Sequence, residues 1–177
     1  DPTEGAILTS AAKAGLYKKI LEEDFPFVEE IPFDSERKKM TIVRQDKDKI
    51  VAFVKGAPDI LLNDCSQIQE NGLSREVNSA DRARILKINN ELANQAMRVL
   101  AVAYRVLEEV PDTYEAAFIE NKLTFAGLVA MIDPPREEAK QAIAECKEAG
   151  IKTVMITGDH KSTAVAIARE LGFFKDD

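Results

Sequence analysis

Two hydrophobic periods alternate along this chain, and the changes from one to the other divide it into elements. Residues 28–33 alternate loosely and predict a strand. Pro32 points to an edge or a bulge there, because proline cannot donate to a ladder. Residues 40–44 and 49–54 are apolar, β-branched runs, and they predict a hairpin across the polar turn 45–48. Residues 98–104 carry little polar alternation, the pattern of a strand in the middle of a sheet, and 123–132 read as a further strand. Helical spacing appears at Ile7, Leu8, Ala11 and Ala12, ending near Gly15, and again in a shorter stretch at 16–21. Asp1, Pro2 and Glu4 supply an N-cap, a first helical residue and the returning partner of a capping box. Ile60, Leu61, Leu62 and Cys65 predict a short buried helix. Ile85, Ile88, Leu92 and Ala96 form the stripe of a long one capped by Ser79. The polar stretch 66–77 reads as a surface loop, and 112–121 as a connector.

The clearest break is Asp133-Pro134-Pro135-Arg136, two prolines in a row. Beyond it a helix over 135–149, a stop at Gly150, a strand over 151–156 and a helix over 161–171 ending at Gly172 make half of a doubly wound unit. Ligands of such sheets gather at the carboxyl ends of strands, where this chain places Thr157-Gly158-Asp159. Thr157 has a hydroxyl to donate to an oxyanion, while Asp159 suits a helix N-cap better than a catalytic role. The expected organisation is one domain over 1–132 and an incomplete second piece over 133–177.

Composition narrows the function classes. A formal charge of −7 argues against a nucleic-acid surface. No apolar run approaches membrane-spanning length. Cys65 and Cys146 lack the paired spacing of zinc or redox sites and read as free thiols, and His160, the single histidine, cannot build a multi-histidine metal site. The abrupt start at Asp1-Pro2 suggests a piece cut from a longer chain.

Against that acidic background Lys55-Gly56-Ala57-Pro58 stands out. A strand runs into a lysine, then a glycine for a sharp turn, then a proline at the first position of a short helix. A lysine facing free helix amides makes a local centre of positive potential. The plain alternative is a strand-to-helix turn with a solvated lysine. Phe33 beside the basic run Arg37-Lys38-Lys39 suits a stacked base with phosphates, although a core phenylalanine is the default. Arg98, at the mouth of a buried strand, either snorkels to the surface or points toward an anion.

Six segments together resemble the P-type ATPases, specifically the cytoplasmic nucleotide-binding domain of the calcium-pump branch. They are DPTE at 1–4, PFDSERKKM at 32–40, KGAPD at 55–59, MRVLAVAYR at 97–105, DPPR at 133–136 and MITGD at 155–159. Each is weak alone, but six in the family's order and spacing are specific, and they cover the chain to about Phe174. The resemblance implies an α/β (α+β) fold: an antiparallel sheet flanked by helices, plus a partial doubly wound, haloacid-dehalogenase-like piece. It implies ATP as ligand, with Phe33 stacked on adenine and Glu4 near the amino edge. Lys55 would lie on the pocket floor with Gly56 and Ala57, and Lys38 and Arg98 would face phosphates and ribose. Asp133, Pro134, Pro135 and Arg136 would form the hinge to the phosphorylation domain, and Thr157, Gly158 and Asp159 would match the phosphoryl-binding loop.

The same resemblance implies a parent that couples ATP hydrolysis, through an aspartyl-phosphate and with Mg2+, to cation transport. It would do so with phosphorylation, actuator and transmembrane domains, as the cytoplasmic part of a membrane protein. These 177 residues contain neither the family's Asp-Lys-Thr-Gly-Thr motif nor its Gly-Asp-Gly-x-Asn-Asp motif, so ATP binding without hydrolysis is expected and no metal ligand is assigned. Ser35 stands where an arginine is expected near the phosphates, and His160 where an asparagine is expected. Two rivals are a stand-alone nucleotide-binding module and a dehalogenase-type phosphatase. The second needs an Asp-x-Asp nucleophile motif at a strand end, and the one Asp-x-Asp in the chain, Asp46-Lys47-Asp48, falls in the polar turn of the predicted hairpin.

Overall fold

A computed structural model describes residues 2–95, 97–108, 111, 113–132, 136–157 and 161–174. By internal contacts the chain divides into two units, Asp1–Leu86 with Val99–Val129, and Lys87–Arg98 with Ala130–Asp177.

The first unit is built on a seven-stranded sheet. Its strands are β1 (Phe27–Asp34), β2 (Lys39–Asp46), β3 (Lys49–Gly56), β4 (Cys65–Glu70), β5 (Leu73–Glu76), β6 (Arg98–Leu107) and β7 (Leu123–Met131), in the order β1-β2-β3-β6-β7-β4-β5. The pairs β1–β2, β2–β3, β3–β6 and β4–β5 are antiparallel, and β4 runs parallel to β7. The predicted hairpin is present with longer strands: Asp46 pairs with Lys49, and Lys47 takes the left-handed conformation in the tight turn. β6 is central, as its apolar run requires. β1 is an edge strand whose register slips between Ile31 and Asp34, which is how Pro32 is accommodated.

Alternation along β3 separates two faces. Ile50, Ala52 and Val54 point into the core. Val54 packs with Leu61, Leu62, Cys65, Ile68, Ile85, Ala101, Ala103, Leu123 and Phe125, while Ile50 and Ala52 pack with Val43, Leu107 and Ile119. Burial pushes the Cys65 thiol up to about 12, so it stays a neutral, apolar-like packing group. Phe53 and Lys55 take the opposite face, where Phe53 is exposed.

Helices α1 (Pro2–Lys13) and α2 (Lys18–Asp24) precede the sheet, and α1 stops as expected: Gly15 is left-handed and the Leu16 amide donates to the Ala11 carbonyl. α3 (Pro58–Leu61) is a single turn continued by a 3-10 turn at Leu62–Asp64, and α5 (Ala116–Ile119) is another single turn with Ile119 fully buried.

Three sequence expectations change here. The stretch 66–77 is not a loop. β4 and β5 form a hairpin across Asn71-Gly72, both at positive φ, because an Asn-Gly pair pays little for the turn that matches strand twist. The cap of α4 (Ser79–Ala93) is Asn78 rather than Ser79. The Asn78 Oδ1 accepts from the Asp81 amide at 3.0 Å, and an Asp81 carboxylate oxygen accepts from the Asn78 amide at 3.1 Å. Gly56 is no turn residue either, since it pairs with Lys39 and Ala101 inside the sheet. Of the α4 stripe, Ile85 is buried and Ile88 exposed, and Ala96 lies outside the described residues.

In the second unit α6 (Glu137–Glu148) starts two residues later than expected and ends at a left-handed Gly150, with the Ile151 amide on the Cys146 carbonyl. α7 (Lys161–Glu170) ends likewise at Gly172, and the Lys147 ammonium donates to the Gly172 carbonyl. Residues 151–156, expected as a strand, join no ladder among the described residues, and Ile156 is 94% exposed. A parallel strand exists only by pairing with neighbours, and none pairs with this run among the described residues.

Candidate functional site

The candidate residues of the first unit gather where the β1–β2 turn meets the end of β3. Between the pairs Ile31–Thr41 and Asp34–Lys39, β1 has two residues, Pro32 and Phe33, opposite the single residue Met40. Met40 in turn pairs with Lys55 on β3, and Lys55 with Val102 on β6. The bulge therefore carries Phe33 to the strand end beside the Met40–Lys55 pair, with the ring 64% exposed. An exposed aromatic at a bulge, outside the core, is a ring available to a ligand.

Lys55 is half-buried, and its ammonium donates to a Glu4 carboxylate oxygen on α1 at 2.5 Å. That hydrogen bond, and then the lysine's charge, hold the Glu4 carboxyl below its ordinary range. Glu4 is thus a partner of Lys55. Its expected capping partner, Asp1, lies outside the described residues.

Gly56 sets how closely the turn approaches β3. A Cβ there would lie 2.6 Å from the Lys38 carbonyl oxygen and 2.9 Å from the Lys39 Cγ. The same carbonyl accepts from the Ala57 amide at 3.1 Å, so that amide is not open to an anion, and α3 is one turn long. The positive potential at this corner comes from lysines rather than from helix amides. Lys38 is exposed and held at φ 52.

The other two cations of the run are used internally. The Arg37 guanidinium donates to both oxygens of Glu120 at 2.5 and 2.6 Å, and Lys39 donates to Asp64 at 2.7 Å and lies 3.5 Å from Glu120. Asp34 caps the turn by accepting from the Glu36 and Arg37 amides at 3.0 and 2.7 Å, bonds that keep its carboxyl below the usual range. Of Arg37-Lys38-Lys39, only Lys38 faces outward.

In the second unit Arg98, Arg136 and Thr157 are all exposed. Asp133, Pro134, Pro135, Gly158 and Asp159 lie outside the described residues. Among the described residues no group of three or more His, Cys, Asp or Glu is placed to hold a metal ion, and no helix is long and apolar enough to cross a membrane.

Residues 1–138 match the sequence model of the family described as "P-type ATPase, cytoplasmic domain N". The chain belongs to this family. Among its relatives, the Calcium-transporting ATPase of Bacillus subtilis is 48% identical over 174 residues, covering 97% of this chain and 19% of the relative. Calcium-transporting ATPase 1 of Bacillus cereus is 43% identical over 176 residues, covering 99% and 20%. Cation-transporting ATPase pma1 of Synechocystis is 43% identical over 173 residues, covering 97% and 19%. The chain spans about a fifth of the length of these P-type relatives.

Within this N-domain framework, sequence reasoning missed Glu120, Asp64 and Thr41, the acceptors and donor that surround Arg37 and Lys39. The Thr41 hydroxyl donates to Glu120 at 2.7 Å, and Glu120 is only 4% exposed. No spacing rule joins residues 37 and 120. The one available signal was a glutamate closing an otherwise apolar turn, Ala116 to Ile119.

Proposed function

We propose that this chain is the ATP-holding part of a P-type cation-transporting ATPase. Phe33 stacks on adenine, Glu4 approaches its amino edge, and Lys55, Gly56 and Ala57 form the floor. Lys38 and Arg98 meet the phosphates and ribose. Residues 1–132 act as the nucleotide-binding domain, and 133–177 as a carboxyl-terminal piece of the phosphorylation domain. Asp133 to Arg136 serve as the hinge between them, and Thr157 to Asp159 as a phosphoryl-binding loop.

In the parent, the domain swings to deliver the γ-phosphate to an aspartate outside these residues. Formation and hydrolysis of that acyl phosphate drive cation movement across the membrane. Positioning and electrostatics supply most of the catalysis, and Mg2+ bound in the parent would supply neutralisation of phosphate charge. The phosphorylation, actuator and transmembrane domains are the implied partners.

The observation that carries this reading is the N-domain match over residues 1–138. The exposed ring of Phe33 beside Met40 and Lys55 supports it. Calorimetric titration tests it: the 177-residue chain should bind ATP at roughly 0.1–1 mM and release no phosphate at a steady rate. Absence of binding at millimolar ATP would sink the ligand assignment. Phosphate release that scales with this protein would sink the assignment of the nucleophile to another segment.

A further inference from the structure

The geometry points to Glu120 as a positioning residue that, through Arg37, sets the conformation of the turn bearing Phe33 and Lys38. The slip in β1 leaves Pro32 and Phe33 opposite one residue, so this corner lacks the regular ladder that elsewhere fixes strand carbonyls. The Pro32 carbonyl is taken instead by the Arg37 guanidinium, which donates to it at 2.7 Å. One planar side chain therefore bridges the backbone just before Phe33 to the Glu120 carboxylate.

Glu120 is held from its own side. Its amide donates to the Ala116 carbonyl at 2.8 Å, and Ile119 beside it is fully buried in the core. Its carboxylate accepts from Arg37 and Thr41 and faces Lys39, so a nearly buried charge is fully partnered. Two effects follow. The bulge is tied to the core although its ladder is broken, and the charges of Arg37 and Lys39 are matched by Glu120 and Asp64. Lys38 is left as the outward cation of the run.

Two variants, with Glu120→Asp as a control, test this in the full 177-residue chain. Glu120→Gln keeps shape and removes charge. Arg37→Lys keeps charge but cannot span Glu120 and Pro32 together. Without nucleotide, heteronuclear NOE and amide exchange should show residues 33–38 loosening in both variants, with β4, β5 and α4 unchanged. In the nucleotide arm, which rests on the reading above, both variants should lose about tenfold in affinity for adenosine and ATP alike, because the ring is displaced. Glu120→Asp, which keeps the charge, should recover part of that loss. Unchanged order at 33–38 in Arg37→Lys overturns the inference, as does loosening spread evenly over the sheet. If the parent chain binds no nucleotide, the functional reading fails while the NMR arm still decides the positioning role.

Discussion

Glu4 and Lys55 lie 51 residues apart in sequence and share a 2.5 Å hydrogen bond that joins α1 to the end of β3. The carboxyl is held below its ordinary 4.5 by that bond first and by the lysine's charge second. Its folded value is depressed relative to the unfolded one, so the pair's contribution is present above about 4.5 and lost as pH falls through the folded value. Both groups are partly solvated, and the contribution should stay under about 1 kcal/mol. The Glu4 carboxyl signal should titrate below pH 4.5, and Lys55→Met should return it toward that value. A Glu4 signal that titrates unchanged in Lys55→Met would contradict the assignment.

Phe33 and the outward cations should separate by ligand. Phe33→Ala should weaken adenosine, AMP, ADP and ATP by similar factors, worth about 1–3 kcal/mol, because stacking is blind to phosphate number. The fold should persist, since a ring 64% exposed contributes little to the core. Lys38→Ala and Arg98→Ala should cost little with adenosine and more with each phosphate, and salt should reduce that cost. Calorimetry with the four ligands checks this. Unfolding of Phe33→Ala would mean that the ring is structural.

Two glycines should fail for different reasons. Gly56→Ala forces a methyl to 2.6 Å from the Lys38 carbonyl and should cost about 1–3 kcal/mol by overpacking. It should also disturb the Lys38 turn. Gly72→Ala meets nothing within 4 Å, but it sits at φ +80 and should cost about 1 kcal/mol through backbone strain alone. Urea denaturation gives both values, and amide shifts at 33–39 should move for Gly56→Ala only.

Residues 151–157 should exchange their amides faster than β3 and β6. They join no ladder among the described residues, and Ile151, Val154 and Ile156 are exposed. Hydrogen exchange on a monomeric sample is the measurement. Protection at 151–157 equal to that of β3 would show that another segment or a second copy covers them.

Much of the fold was legible because it depends on local chemistry. The β2–β3 hairpin follows from two apolar runs around a polar turn, and central β6 from a strand without polar alternation. The stops at Gly15, Gly150 and Gly172 follow from glycine's tolerance of positive φ. Pro32 announced the edge strand and its bulge. The Asn71-Gly72 hairpin was equally legible, but the polar composition of 66–77 outweighed a turn signal that should have prevailed.

What the sequence alone could not decide was pairing at long range. Whether Glu4 caps its helix or meets Lys55 depends on where α1 lies against β3. Which of Arg37, Lys38 and Lys39 faces outward depends on Glu120, more than 80 residues away, and on Asp64. Gly56 reads as a turn glycine until the Lys38 carbonyl is seen within 2.6 Å of its missing Cβ. The run 151–156 has a strand's composition but joins no ladder among the described residues, because a strand is made by its neighbours and not by its own residues. Local sequence determines what a segment can do. Tertiary contacts decide which partner satisfies each charge and backbone group, because burial makes an unpartnered one too costly.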